Sequence, residues 1–262
     1  MQTDEVLELI QQVAAEVITP RFGTLEDSEI DEKRPGDLVT IADRESEQRL
    51  TAELSARVPG CVVVGEEAAF ANPALLQGLD QIEHLFLVDP VDGTRNFARG
   101  RVEHAVMIAE VRQGTTTRAW IWQPALGHAF VAELGAGAYR DGERLPRREP
   151  VTRTPVVRSS REKLIAADTG GALSMGMSNW CCGVDYPQVA TGEADALLYV
   201  SNKPWDHAPG ALLLAEVGGG VQTWSGTRYT ASNSAAGLLC YGHPDLVPTL
   251  TSALDLSARA AG

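Results

Sequence analysis

The chain has 262 residues, 44% of them apolar, and a formal net charge of −13, so it can bury one large core or two packed halves. Its acidic balance repels polyanions, which argues against non-specific nucleic-acid binding and against attachment to an anionic membrane. No apolar run reaches the ~18 residues of a membrane span, and Asp4, Glu5 and Glu8 interrupt what a secretory signal would keep basic and then apolar, so a cytoplasmic protein is expected.

Residues 4 to 18 place Val6, Leu9, Ile10, Val13 and Val17 at helical steps, predicting an amphipathic helix that ends before Pro20. The charged stretch from Glu26 to Gly36 closes on Pro35-Gly36 and reads as an exposed loop or hairpin. A second helix follows, opened by Thr40 with Asp43 in a capping-box arrangement and striped by Leu50 and Leu54. The β-rich run Cys61-Val62-Val63-Val64 stops at Gly65 and delivers Glu66 and Glu67 beyond its end, and a run from His84 to Val88 delivers Asp89 in the same way. Residues 104–112, 116–122 and 128–139 alternate with turn signals at Gln113-Gly114, Pro124 to Gly127 and Asp141-Gly142, which suggests an antiparallel meander.

The basic, proline-containing stretch from Arg144 to Pro155 marks a boundary between an N-terminal half, 1–146, and a C-terminal half, 147–262. Beyond it, Val156 to Ser159, Ala194 to Val200 and Leu238 to Tyr241 read as strands, and 207–217 as a helix stopped by Gly218-Gly219-Gly220. No internal repeat is visible, and helices mixed with a largely antiparallel sheet argue for an α+β layered fold.

Cys61, Cys181, Cys182 and Cys240 show no Cys-x-x-Cys spacing and read as small buried hydrophobes. Cys181 and Cys182 are adjacent, yet neither a second pair nor a His nearby in sequence completes a soft-metal site.

The segment Asp89-Pro90-Val91-Asp92-Gly93-Thr94 carries the chemistry. Pro90 fixes the chain direction, and two carboxylates three residues apart on a tight turn can face one point. Gly93 lets backbone approach a ligand, and a helix starting here would offer free N–H groups to an anion. Metal and phosphate would meet on one loop, and a bound cation would reverse the repulsion between an acidic protein and a phosphate ester. Asp92-Gly93 alone also reads as an ordinary turn. The spacing excludes an EF-hand, and no glycine-rich Walker loop is present. Glu66, Glu67 and Asp206 extend the carboxylate set. Each has a purely structural reading as well: a solvated acidic pair, or for Asp206 the N-cap of the helix at 207–217, with Thr40 and Asp43 as another helix cap.

Taken together, Asp37-Leu38-Val39-Thr40-Ile41-Ala42-Asp43, Gly65-Glu66-Glu67, the segment Asp89 to Phe97, Trp205-Asp206-His207-Ala208-Pro209-Gly210 and Glu216-Val217-Gly218-Gly219 resemble the signatures of the inositol monophosphatase family, from about residue 37 to residue 219. The resemblance implies a layered αβαβα sandwich of the inositol monophosphatase and fructose-1,6-bisphosphatase type, with a largely antiparallel N-terminal sheet, in a homodimer. It implies hydrolysis of a small phosphate monoester with two or three Mg²⁺ ions and no covalent intermediate. By motif, Glu66, Asp89 and the Val91 carbonyl would hold the first metal, and Asp89, Asp92 and Asp206 the second, an oxygen donor set that suits Mg²⁺. Thr94 and Asp43, with Glu66, would orient and deprotonate the attacking water, while Asp92, Gly93 and Thr94 would bind the phosphate.

Counting back from Asp206 without gaps, the family's inositol-contacting Gly-Ser/Thr-Ala segment is replaced by Trp180-Cys181-Cys182, and its later Glu by Tyr199. An indole for a glycine and a phenol for a carboxylate predict a tighter pocket less suited to a polyol, although Trp180 in an apolar run also reads as core. Lys33 and Arg34 on the early loop can screen the metal site or simply be solvated. The candidate substrates are sugar, polyol, amino-alcohol or nucleotide monophosphates. The alternatives are a nucleotide bisphosphate of the 3′-phosphoadenosine 5′-phosphate type, histidinol phosphate, or a non-catalytic regulatory protein on the same fold, against which the complete ligand set argues.

Overall fold

A computed structural model describes residues 1–232 and 237–260. Helix α1 (Thr3–Val13) runs on through a π-helical turn at Ala14–Ile18 and a 3₁₀ turn at Thr19–Arg21 that contains Pro20, so the apolar period of the sequence becomes one stripe. The charged stretch after it is a hairpin of β1 (Ile30–Arg34) and β2 (Asp37–Thr40). Helix α2 (Ile41–Arg57) opens on the expected capping box, with Asp43 Oδ2 accepting from Thr40 N at 2.8 Å.

Seven strands then form one sheet in chain order: β3 (Val62–Gly65), β4 (His84–Asp92), β5 (Ala105–Arg112), β6 (Thr115–Gln123), β7 (His128–Glu133), β8 (Gly137–Arg140) and β9 (Glu143–Arg144). β3 and β4 are parallel, joined through α3 (Glu66–Ala71), and every later neighbour is antiparallel, with α4 (Thr94–Ala98) between β4 and β5. The second half adds β10 (Val156–Ser159), α5 (Glu162–Ile165), β11 (Ser174–Met177), α6 (Cys182–Thr191), β12 (Ala196–Tyr199), α7 (Pro204–Glu216), β13 (Gly220–Thr223), β14 (Leu238–Tyr241), α8 (Leu246–Leu254) and α9 (Leu256–Ala260). Its strands make a mixed sheet in the order β11-β10-β12-β14-β13.

β4 is buried at every position, and its alternating side chains feed two cores. Phe86 and Val88 pack with Ile108 and Trp120 against Ile10 of α1 and Leu50 and Leu54 of α2. Leu85 and Leu87 join Met107 and Ile121 on the opposite face, against Tyr186 of α6 and Leu213 of α7. Leu197, Tyr199, Leu238 and Cys240 of the second sheet belong to that same cluster, while the sheet's outer face, with Val157, Leu198 and Leu239, is covered by Leu246, Leu250 and Leu254 of α8. The layers therefore run helix, sheet, helix, sheet, helix, the αβαβα order expected from the family resemblance. No helix among the described residues is long and apolar enough to cross a membrane.

Among the departures from the sequence expectation, three bear on the site. β4 continues past Val88 to Asp92, because the chain bulges and keeps pairing instead of leaving the sheet. α7 starts at Pro204, with Lys203 as N-cap, so Asp206 lies in the first helical turn and is not the cap. α6 has no forecast at all, since Pro187 lies inside it. Pro187 cannot donate to the Gly183 carbonyl four residues back, and Gln123 Nε2 donates there in its place at 2.7 Å.

Candidate active site

Between Asp89 and Asp92 the register of β4 on β5 shifts: Asp89 faces Met107 and Asp92 faces Ala105, so three steps oppose two. A bulge of one residue reverses the usual alternation and turns both carboxylates to one side. Gly93 then adopts the left-handed conformation, φ 79° and ψ 34°, and a Cβ there would sit 2.8 Å from the Glu103 carbonyl oxygen. Only glycine fits that turn, which starts α4 at Thr94.

Glu66 opens α3 where β3 ends, Asp89 stands on β4, and Asp206 lies in the first turn of α7. Oxygens of all three carboxylates lie within 4.8 Å of one another. Burial first, and then the charges of Glu66, Asp92 and Asp206, push the Asp89 carboxyl well above its ordinary range, and Asp206 is pushed up by burial and by Glu66 and Asp92. Asp92 is raised by burial to about 6, although Cys181 Sγ at 2.8 Å and Gly183 N at 2.6 Å donate to its Oδ2. Buried carboxylates that oppose one another in this way call for a cation. A stand-in is present in the Lys33 ammonium, which is shielded from solvent and lies 2.5 Å from Glu66 Oε1 and 2.9 Å from Glu67 Oε1. The all-oxygen donors suit a hard divalent ion such as Mg²⁺.

Asp43 and Thr94 meet beside this cluster. Thr94 Oγ1 is 3.0 Å from Asp43 Oδ1 and 3.0 Å from the Val91 carbonyl, while Asp43 Oδ2 accepts from the Thr40 hydroxyl at 2.5 Å. Burial raises Asp43 to about 7 against the opposing Thr40 hydrogen bonds. A carboxylate and a hydroxyl arranged in this way can pass a proton near neutral pH.

Glu47 escaped the sequence reasoning. Its carboxylate accepts from Glu67 N and Ala68 N, both at 2.8 Å, and so ties down the first turn of α3 behind Glu66. Its spacing of four from Asp43 on α2, which puts both acids on one helical face, was the available signal.

The segment with altered family residues divides. Trp180 is 48% exposed, has φ 59° and lies against the Arg95 guanidinium, 5.8 Å from its ring centroid, so it is not the core residue that its apolar neighbours suggested. Cys181 and Cys182 are buried, Cys181 against Asp92. Tyr199 is buried too, and its hydroxyl donates to Asp185 Oδ2 at 3.2 Å. Asp185 also accepts from Asn179 N at 2.8 Å, and the Asn179 carbonyl accepts from Asn96 Nδ2 of α4 at 2.8 Å, so Tyr199 is linked through Asp185 and Asn179 to the helix that follows the Asp89–Asp92 turn. On the Glu66 and Asp206 side, a cleft of ≈ 350 Å³ is lined by Lys33, Arg34, Phe70 and Lys203.

The model of the inositol monophosphatase family matches residues 2–255. The chain is 30% identical to an inositol-1-monophosphatase of Mesorhizobium japonicum over 229 residues, covering 82% of each protein. It is 29% identical to a putative Nus factor SuhB of Neisseria meningitidis, over 81% of this chain and 84% of that protein. Among solved structures, an IMPase of Thermotoga maritima superposes with a TM-score of 0.81 at 22% identity, over 99% of this chain and 98% of that one, and shares its fold.

Proposed function

The chain belongs to the inositol monophosphatase family, and from that membership we propose that it is a Mg²⁺-dependent phosphomonoesterase acting on a small phosphorylated substrate. The observation that carries this reading is the convergence of Glu66, Asp89 and Asp206 oxygens within 4.8 Å, beside Asp92 and the Thr94–Asp43 pair.

Glu66, Asp89 and the Val91 carbonyl would hold one Mg²⁺, and Asp89, Asp92 and Asp206 a second, with a third ion compatible with the remaining oxygens. Bound there, Mg²⁺ supplies Lewis acidity and lowers the pKa of coordinated water. Thr94 would orient the attacking water, and Asp43, 3.0 Å from its hydroxyl, would take up the proton through it. Glu66 completes this group from the end of α3. The N–H groups of Gly93 and Thr94, with Asp92, line the position of the phosphate. No covalent phospho-enzyme is needed, since water is the nucleophile.

By the ungapped count from Asp206, Trp180 takes the position of the glycine in a polyol-specific site, and its exposed indole supports a compact leaving alcohol other than inositol. The test is phosphate release from sugar, polyol, amino-alcohol, nucleotide bisphosphate and histidinol phosphates, with and without Mg²⁺, against Asp92→Asn. Turnover of at least one ester above that control is expected. If none is turned over, the catalytic reading fails and a regulatory role on this fold takes its place. A wide preference for myo-inositol 1-phosphate would refute the specificity reading of Trp180 alone.

A further inference from the structure

Asp206 belongs to a second set of donors besides Glu66 and Asp89. An oxygen of Asp206, Cys182 Sγ and a ring nitrogen of His207 all lie within 4.8 Å of one another. Cys182 begins α6 and His207 follows Asp206 on α7, and the two helices pack directly on each other, so this triad is held by rigid elements.

The protonation of His207 can be worked out from its partners. Its Nε2 is 3.1 Å from the Ser201 carbonyl, which can only accept, so Nε2 carries the proton. Its Nδ1 is therefore an acceptor, taking the hydroxyl proton of Tyr186 at 3.0 Å, and the Cys240 thiol, 3.2 Å from that same hydroxyl, donates to the Tyr186 oxygen. The imidazole is neutral with a lone pair at Nδ1, the form in which histidine ligates a metal. Close by, the buried hydroxyl of Tyr229 has no hydrogen-bond partner among the described residues, and the ionisable groups that bear on it are Asp206, Cys240 and Cys182. Its ring lies edge-on to the His207 imidazole, 6.4 Å between centroids, and a buried hydroxyl left unpaired next to that histidine marks a polar position with room for one more partner.

We propose that Cys182, Asp206 and His207 form a binding site for a thiophilic divalent cation of the Zn²⁺ type, and that filling it draws Asp206 away from the Glu66–Asp89 cluster. Zn²⁺ takes sulfur, nitrogen and carboxylate oxygen at about 2.0–2.3 Å, so the three donors need to close in by about 1 Å. On binding, the Cys182 thiol loses its proton to solvent and the Tyr186 hydroxyl releases His207 Nδ1 and turns to Cys240. Thiolate and carboxylate then balance the two charges of the cation. Mg²⁺ does not enter this site, since it prefers oxygen donors and octahedral geometry, and it opposes filling only by holding Asp206 in the other cluster. The binding site stands on its own; only its consequence for turnover rests on the proposed phosphatase activity.

The test is titration of the whole metal-free protein with Co²⁺, a spectroscopic substitute for Zn²⁺, read at the thiolate-to-metal charge-transfer band. A band that saturates at one equivalent is expected, displaced by Zn²⁺ and shifted to higher Co²⁺, but not abolished, by saturating Mg²⁺. It should vanish in Cys182→Ser, weaken about 10-fold or more in affinity in His207→Gln, and persist in Cys181→Ser. The absence of a band in the wild type, or an unchanged band in Cys182→Ser, overturns the site. Because this readout needs no turnover, it is independent of the phosphatase reading. In parallel, Zn²⁺ inhibition of the Mg²⁺-supported reaction should require about 10-fold more Zn²⁺ in Cys182→Ser, each variant being compared with its own uninhibited rate. Equal sensitivity in the two proteins overturns the coupling through Asp206.

Discussion

Thr94 Oγ1 lies 3.0 Å from Asp43 Oδ1, although 51 positions separate the two residues. Asp43 uses one oxygen to cap α2 through Thr40 and offers the other to the first residue of α4. The contact that starts one helix thereby aims the hydroxyl that starts another. Replacement by valine keeps the shape of Thr94 and removes the hydroxyl, so kcat at saturating Mg²⁺ and substrate should fall by about 10²-fold or more, while Thr94→Ser stays within a few-fold. A Thr94→Val enzyme as fast as the serine variant would show that the hydroxyl takes no part in orienting water.

The repulsion stored among Asp89, Asp206 and Glu66 predicts opposite effects of one substitution with and without metal. A buried carboxyl whose folded-state pKa is raised costs stability as pH climbs above its unfolded value, so ionised Asp89 weakens the metal-free fold at neutral pH. Metal-free Asp89→Asn should therefore melt above the metal-free wild type. Saturating Mg²⁺ should raise the melting temperature of the wild type and leave the variant where it was. Thermal unfolding with EDTA and with Mg²⁺ measures both, and an asparagine variant that still gains from Mg²⁺ would remove Asp89 from the ligand set.

Cys181 holds Asp92 by its thiol, and the loss of one donor to a buried carboxylate is worth about 1–2 kcal/mol. Cys181→Ala should weaken Mg²⁺ binding by roughly that amount in calorimetric titration, and Cys181→Ser, which restores a donor, should bind near the wild-type level. If alanine and serine bind Mg²⁺ alike, the thiol is only filling space beneath Gly93.

Away from the site, Glu110 on β5 is buried among Arg118, Arg112 at 3.1 Å and His84, whose Nε2 is 2.7 Å away but out of line for a hydrogen bond. Burial pushes Glu110 up, but Arg118 and then Arg112 prevail and hold it below its ordinary range. Burial, reinforced by Arg112, holds His84 below its own. Both shifts have the same sign for stability: the unfolded chain binds more protons in acid, so the contribution is present above the unfolded pKa values and drains away as pH falls below that of His84 and then of Glu110. Denaturant unfolding across an acid series should show this loss. Glu110→Ala should cost about 3 kcal/mol at neutral pH, by leaving Arg118 beside a buried gap, and should flatten the acid slope. An unchanged slope would place the acid sensitivity elsewhere.

What was legible in the sequence was local. The capping box at Thr40, the β-runs that end at Glu66 and near Asp89, and the period of α1 all depend on residues within a turn or two, and they announce both the layers and the carboxylates. What stayed hidden depends on partners far along the chain. The Pro187 interruption of α6 is compensated by Gln123, 60 positions away. Tyr199 meets Asp185 while its ring stacks on Tyr186 of α6 and tilts against His207 of α7, and His207 reaches Cys182 only through the contact of α6 with α7. No spacing rule in one dimension contains those meetings.

The one-residue bulge between Asp89 and Asp92 also makes the length of this segment as restrictive as its composition. Removing either Pro90 or Val91 would let β4 pair with β5 without interruption and would give a more regular sheet. That more regular strand would still point Asp89 and Asp92, now two steps apart, to one face. What the extra residue secures is therefore the spacing: at the present length only the bulge keeps both carboxylates on one side, and a shortened version would draw Gly93 and Thr94, and with them the contact to Asp43, one residue closer to Asp89.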